Sequence, residues 1–152
     1  DVAHLPAGDR HAGILFQDPL LFPHMSVGGN LVFAIPQSVK GKAVRRSRAS
    51  EALDDVGLAD FFDRDPDTLS GGQKARVALA QCLLFGAGVI VLDEPTNHLD
   101  LQSTQVLERA LMAFPGAVII VSHDRFFVEK VAFRQLSFDG HGSVKEIAGV
   151  QM

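Results

Sequence analysis

Apolar positions along this chain follow two different periods. Three short runs are almost entirely apolar, and such runs predict buried strands of a parallel sheet. These runs lie at 12–16, 89–92 and 117–121. Longer segments repeat apolar residues every three or four positions, which predicts helices at 40–56, 73–85, 101–114 and 125–131. Because strands and helices alternate in the second half, the pattern predicts an α/β fold with a parallel sheet.

Capping and turn residues set the expected ends of several elements. Ser26 is suited to cap a helix that Pro36 ends, and Gly57 is suited to end the helix after it. The segment 133–138 alternates apolar and polar positions, as a strand does. Gly140 and Gly142 follow it and predict a hairpin turn toward a second strand at 144–147.

The composition narrows the class of protein. With 152 residues, 47% of them hydrophobic and 21% charged, the chain has the make-up of a soluble globular domain. A net charge of -4 argues against bulk attraction to nucleic acid, so we expect no direct DNA binding. The single cysteine, Cys82, permits no internal disulfide, which fits a reducing compartment. No apolar run reaches the length that spans a bilayer.

One local cluster of positive charge stands apart from this acidic balance. We expect it to be a solvated helix face rather than a site for an anionic partner, because such faces are common. The cluster contains Lys40, Lys42, Arg45, Arg46 and Arg48.

The segment Ser70-Gly71-Gly72-Gln73 lies where the 73–85 helix begins. We expect the glycines to form a tight turn that leaves unpaired N–H groups at the positive end of the helix, which suits an anion. Ser70 either caps the helix or donates its hydroxyl to a phosphate.

Asp93 and Glu94 follow the apolar run 89–92, where ligands collect at the carboxyl ends of parallel strands. One carboxylate is suited to Mg²⁺ and its neighbour to orienting a water nucleophile, although two acids also serve as turn caps. His123 and Gln17 end the other two apolar runs in the same way. His123 could instead be a structural histidine, and Gln17 an ordinary loop amide. However, three apolar strands that each end in a polar residue suited to phosphate or Mg²⁺ together predict a phosphate–Mg²⁺ site.

These motifs, in this order and spacing, resemble those of ATP-binding-cassette (ABC) ATPases over nearly the whole chain. Leu69 to Gln73 resembles the signature motif, Val89 to Glu94 the Walker B strand, and Asn97 to Asp100 the D-loop. Gln17 resembles the Q-loop glutamine and His123 the switch histidine. The resemblance implies a RecA-like core interrupted by a helical subdomain. It divides the chain into the end of the core with the Q-loop (1–24), the helical subdomain (25–69) and the remaining motifs with the C-terminal core (70–152).

The resemblance also implies a role for each residue in a head-to-tail dimer of two ABC domains. ATP would lie between the phosphate loop of one domain and Ser70, Gly71, Gly72 and Gln73 of the other. In the site, Glu94 would orient the attacking water, Asp93 and Gln17 would serve Mg²⁺, His123 would contact the γ-phosphate, and Asp100 would couple the two sites.

The sequence contains no G-x-x-x-x-G-K-[ST] phosphate loop, since Gly41-Lys42-Ala43 lacks both the upstream glycine and the following hydroxyl. We therefore expect a partial ATPase domain, either a truncated fragment or an incomplete cassette. By itself, a chain without those phosphate-binding groups is expected to hydrolyse ATP negligibly.

Two branches of the family compete. The part from Gly13 to Leu84 resembles the ATP-binding subunits of bacterial importers, whereas 94–100 and 122–127 resemble the soluble translation-factor branch. The first branch implies a membrane permease partner and a cytoplasmic location at the inner membrane. The second implies a cytosolic ATPase that acts on the ribosome. A degenerate cassette that only docks to partners is the third interpretation, and we favour the importer subunit.

Overall fold

The computed structural model describes residues 12–15, 21–97 and 99–147. Its helices are α1 (Val27–Ala34), α2 (Lys42–Asp55), α3 (Gly71–Phe85), α4 (Leu101–Ala113) and α5 (Arg125–Val131). Its strands are β1 (Ala12–Leu15), β2 (Val89–Asp93), β3 (Ala117–Val121), β4 (Gln135–Phe138) and β5 (Val144–Ile147). Single 3-10 turns occupy Ala59–Phe61 and Pro66–Thr68.

Three of the strands form the predicted parallel sheet. The order is β1-β2-β3, so β2 is central, with Leu92 beside Leu15 and Asp93 beside Val121. All three carboxyl ends therefore meet at one edge, as the α/β prediction required. The α/β class is confirmed, and so is the separate hairpin of β4 and β5, whose turn contains Gly140 and Gly142 at positive φ.

The strand β3 differs from its prediction as a buried strand. Its burial alternates, and Ile119 and Val121 are 54% and 55% exposed. Within the described residues, the core packs against the face that carries Val118 and Ile120, which are partly buried. An apolar run alone does not reveal that the described residues cover only one face of β3, so the prediction of a strand buried on both faces was wrong for Ile119 and Val121.

The first three helices pack around a common apolar core. Leu31 of α1, Leu53 of α2 and Val77 of α3 are all fully buried. Ser26 caps α1 as expected, since its Oγ accepts a hydrogen bond from the Gly29 N–H at 3.0 Å. The positive φ of Gly57, +74°, follows the end of α2 and lets the chain turn back.

One member of the basic cluster is structural. The Arg45 guanidinium donates to the carbonyls of Val32, Ile35, Pro36 and Val39, at distances between 2.9 and 3.0 Å. Arg45 on α2 therefore ties the end of α1 and the loop that follows it to its own helix. The other four members are exposed, as expected of a solvated face, and the Arg46 guanidinium stacks on the Phe62 ring at 4.0 Å.

No helix in the described part of the chain combines the length and the hydrophobicity needed to cross a bilayer.

Candidate functional site

The central strand ends in an unusual backbone conformation. Leu92 is buried at 1% exposure, Asp93 is exposed, and Glu94 has a φ of +45°. A non-glycine residue in this left-handed region is uncommon and carries an energetic cost. The Glu94 N–H compensates in part by donating to the Val121 carbonyl at 2.8 Å. The chain thus leaves the sheet at Glu94 while remaining attached to the neighbouring strand.

The turn brings the Glu94 carboxylate to His123. Glu94 Oε1 lies 3.4 Å from His123 Nε2, and Oε2 accepts from the His123 N–H at 3.4 Å. The imidazole is 98% exposed, whereas the Glu94 side chain is 21% exposed. The expectation that these residues share one rim is confirmed, because β2 and β3 are neighbours. The pair therefore combines the Glu94 carboxylate, which is largely buried, with the His123 imidazole, which is accessible to a ligand.

Asp93 lies at the same edge of the sheet and is exposed. The expected second Mg²⁺ residue, Gln17, lies outside the described residues. No cluster of three metal-ligating side chains exists within the described ranges.

The predicted anion-binding segment forms a capping box at the start of α3. The Ser70 Oγ accepts from the Gln73 N–H at 3.2 Å, and the Gln73 Oε1 accepts from the Ser70 N–H at 2.9 Å. The cap uses Ser70 as an acceptor, so its hydroxyl hydrogen stays available for donation. Both expected uses of Ser70 are therefore compatible.

The two glycines differ from their expected role in a tight turn. Gly71 and Gly72 are the first two residues of α3, and neither has a positive φ. The prediction was wrong because a glycine pair before a helix does not reveal where the helix begins. A Cβ on Gly71 would meet no atom within 4 Å, whereas a Cβ on Gly72 would lie 2.7 Å from the Ser103 Oγ. Gly72 permits packing against α4, and Gly71 leaves open space beside the helix end.

Asp100 caps α4, and its Oδ1 accepts from the Ser103 N–H at 2.7 Å. This hydrogen bond is the main cause that lowers the pKa of the Asp100 carboxyl below its ordinary value. Oδ2 lies 3.6 Å from the position that a Gly72 Cβ would occupy. Asp100 therefore lies beside the first turn of α3.

The structure thus groups the expected residues in two sets. Glu94 and His123 are in contact at the sheet edge. Gly72 lies beside Asp100 where α3 and α4 begin, and Ser70 caps α3 at the residue before Gly71. Within residues 21–97 and 99–147, no hydrogen bond joins the two sets.

The sequence reasoning missed two buried polar residues: Arg76, whose Nη1 donates to the Val56 carbonyl at 3.2 Å, and Ser103, which lies beside Gly72. They are 6% and 0% exposed. Helical spacing carried a signal for Arg76, since it lies four residues after Gly72 and three before the buried Leu79. A charged residue on the buried face of a helix is expected to have a hydrogen-bond or ion-pair partner, because an unpaired buried charge is costly.

Comparison with known proteins fits this architecture. A family model described as "ABC transporter" matches residues 3–97, more than half of the chain. The chain is 45% identical over 124 residues to the uncharacterised ABC transporter ATP-binding protein YnjD of Escherichia coli, covering 79% of this chain and 57% of YnjD.

Two relatives with named substrates are also similar. The chain is 40% identical over 151 residues to the molybdenum import ATP-binding protein ModC of Mycobacterium tuberculosis, covering 93% of this chain and 40% of ModC. It is 41% identical over 143 residues to the thiamine import ATP-binding protein ThiQ of a Jannaschia strain, covering 91% of this chain and 62% of ThiQ. The chain thus spans about half the length of these relatives. The parallel sheet, the helical part, the family match and these relatives together show that the chain belongs to the ABC transporter family, as part of its ATP-binding domain.

Proposed function

We propose that this chain forms part of the ATP-hydrolysing subunit of an ABC importer. The contact between Glu94 and His123 at the ends of two adjacent parallel strands is the observation that carries the proposal. In open α/β sheets, this edge is where phosphate ligands and their metal ions bind. The unfavourable backbone conformation of Glu94 supports a functional role, because such conformations occur preferentially at active sites.

Glu94 is suited to hold and orient the water that attacks the terminal phosphate. Its carboxylate is largely covered, and the His123 N–H fixes one of its oxygens. The exposed His123 imidazole projects beside it and can donate to a phosphate oxygen. Asp93, together with Gln17, would hold Mg²⁺, which neutralises charge that develops on the phosphates. Asp93 and Glu94 are assigned different roles because Asp93 is exposed at the end of β2, whereas the Glu94 carboxylate is largely buried against His123.

The start of α3 is suited to bind the ATP of a second ABC domain rather than the ATP of its own domain. The N–H groups of Gly71 and Gly72 belong to the first turn of α3. Helix geometry leaves such groups without intrahelical acceptors, and the helix dipole favours a negative charge there. The open space beside Gly71 leaves room for a phosphate that a partner domain presents. We therefore propose a head-to-tail dimer in which each ATP contacts Ser70 to Gln73 of the opposite domain.

A permease at the cytoplasmic face of the inner membrane is the proposed partner of this dimer. An exposed aromatic patch offers a docking surface: the Phe22 and Phe33 rings meet edge to face at 5.3 Å, and His24 lies 5.7 Å from Phe22. The buried Asn30 amide holds this loop, since it both donates to the Phe22 carbonyl and accepts from the Phe22 N–H. We propose no particular transported substrate, because the two relatives are named for the import of different compounds, molybdenum and thiamine.

The test is phosphate release from Mg²⁺-ATP by the full-length protein. We expect Glu94→Gln to slow hydrolysis by roughly 10²-fold or more while nucleotide binding persists, as for the loss of a water-positioning group. The matched control is Glu129→Gln, which removes an exposed carboxylate on α5. Hydrolysis by Glu94→Gln at the wild-type rate would remove Glu94 from this role.

A further inference from the structure

One buried carboxylate has no part in the proposed reaction. Glu108 lies on α4 and is buried, and its side chain is only 12% exposed. Its Oε2 accepts a hydrogen bond from the Nζ of Lys130 on α5. Within the described residues this carboxylate has no other hydrogen-bond partner. Because a buried charge is costly unless it is paired, Lys130 is the group that allows Glu108 to lie here, and the pair joins α4 to α5.

The helix α5 leads directly from His123. This histidine lies between the end of β3 and Asp124, the residue that caps α5. Its imidazole is 98% exposed, so little packing in the described part of the chain fixes the ring. The position of the imidazole beside Glu94 therefore depends on the backbone, which β3 holds on one side and α5 on the other.

The position of α5 depends in turn on its contacts with the rest of the domain. The helix has seven residues, which is too few for stability in isolation. Apolar packing holds its inner face, since Phe127 is buried at 2% exposure and Val128 and Val131 are partly buried. Lys130 adds the contact with Glu108. Apolar packing is non-directional, whereas a charge-assisted hydrogen bond fixes two groups in a defined geometry.

We propose that Glu108 and Lys130 are positioning residues, which set α5 relative to α4 and thereby place His123 beside Glu94. This inference rests on the proposed function, in which Glu94 orients the attacking water and His123 contacts the terminal phosphate. Lys130 lies in the last turn of α5, at the end far from His123. The pair therefore acts through the backbone of α5.

An ion pair that serves stability alone predicts a different outcome. Replacing both members of a buried ion pair by apolar side chains is often neutral or stabilising, because no buried charge is then left unpaired. The double variant Glu108→Leu with Lys130→Met is therefore expected to be more stable than Lys130→Met. If the pair serves stability alone, activity returns together with stability. Positioning predicts a double variant that is stable and still slow, because apolar packing does not restore the direction of α5.

The experiment measures kcat and KM for Mg²⁺-ATP in the full-length protein, with urea denaturation of each variant. We expect Lys130→Met to lower kcat by about tenfold and to change KM by less than about twofold. Lys130→Arg should recover most of this loss, because it restores a cation. The double variant should recover stability but keep the lowered kcat. Lys145→Met removes an exposed lysine of β5, and as the control it should leave both constants unchanged.

A second readout does not depend on ATP hydrolysis. NMR spectra of the full-length protein with isotope-labelled histidine report the surroundings of each imidazole, and the variant His123→Gln identifies the His123 signal. We expect this signal to shift in Lys130→Met and in the double variant, while the signal of His24 stays in place. If wild type fails to hydrolyse ATP, the proposed function fails, and the His123 signal still judges the ion pair.

Any one of three results would overturn the proposal: a wild-type kcat in Lys130→Met, a kcat that returns with stability in the double variant, or a His123 signal that stays in place in both. If Lys130→Met does not fold, Glu108→Gln takes its place, because it leaves no buried charge and Lys130 is 56% exposed. Its expected loss in kcat is roughly threefold, since the amide oxygen can still accept from Lys130. A wild-type kcat and an unshifted His123 signal in Glu108→Gln would then overturn the proposal.

Discussion

Gly72 lies so close to Ser103 that a Cβ atom added to the glycine would be 2.7 Å from the Ser103 Oγ. This contact joins the first turn of α3 to the first turn of α4. It gives Gly72 a packing role that its neighbour Gly71 does not share, because Gly71 faces open space. The glycine pair thus divides into one residue that the fold needs and one that leaves room for a ligand.

We expect Gly72→Ala to destabilise the full-length protein by about 1–3 kcal/mol, the usual cost of overpacking. Gly71→Ala should leave the free energy of unfolding within about 0.5 kcal/mol of wild type, as for an exposed site. Urea denaturation measures both. The double variant Gly72→Ala with Ser103→Ala should recover much of the loss, and no recovery would show that the Ser103 hydroxyl is not the obstacle.

Arg45 provides a second test of stability. Its guanidinium donates to four carbonyls at the end of α1 and in the loop after it, and hydrogen bonds that involve a charged group are stronger than neutral ones. We expect Arg45→Met to cost about 2–3 kcal/mol in the free energy of unfolding. Arg48→Met, on the exposed face of the same helix, should cost less than about 0.5 kcal/mol. Equal effects of the two changes would contradict the structural role of Arg45.

Asp100 predicts a dependence of stability on pH. The Ser103 N–H lowers the pKa of its carboxyl in the folded state. A depressed pKa contributes stability above the unfolded value, near pH 4, that is lost as the pH falls through the folded value. Asn caps helices as well as Asp does but carries no charge. The melting temperature of Asp100→Asn should therefore fall less steeply than that of wild type between about pH 5 and 2, and parallel curves would exclude this contribution.

Much of the fold follows from local signals. Pro36 and Gly57 mark helix ends that the structure places within a residue or two, and β5 has the predicted bounds. Gly140 and Gly142 lie in the predicted hairpin turn, where both have positive φ. These features depend on residues close in sequence, so the sequence alone predicts them.

The features that escaped prediction depend on distant contacts. The positive φ of Glu94 is supported by a hydrogen bond to Val121, which lies on another strand. The buried Arg76 side chain on α3 donates a hydrogen bond to the Val56 carbonyl, at the end of another helix. The sequence motifs predicted which residues lie at the sheet edge, but not the backbone conformation that brings the Glu94 carboxylate to His123.

The account as a whole requires two halves of one composite site, the Glu94 edge of one domain and the Ser70 to Gln73 segment of another. Gly71→Asp is the sharpest probe, because it places a negative charge where a partner's phosphate should bind and has space to fold. Glu94→Gln provides the background, since it should trap the ATP-bound dimer before turnover.

The decisive measurement is sedimentation of the full-length Glu94→Gln protein, with and without Gly71→Asp, in the presence of Mg²⁺-ATP. The account predicts that Glu94→Gln sediments as a dimer, and that the double variant still binds ATP but sediments as a monomer. If Gly71→Asp leaves the ATP-driven dimer intact, the start of α3 is only a helix cap and the head-to-tail arrangement is wrong.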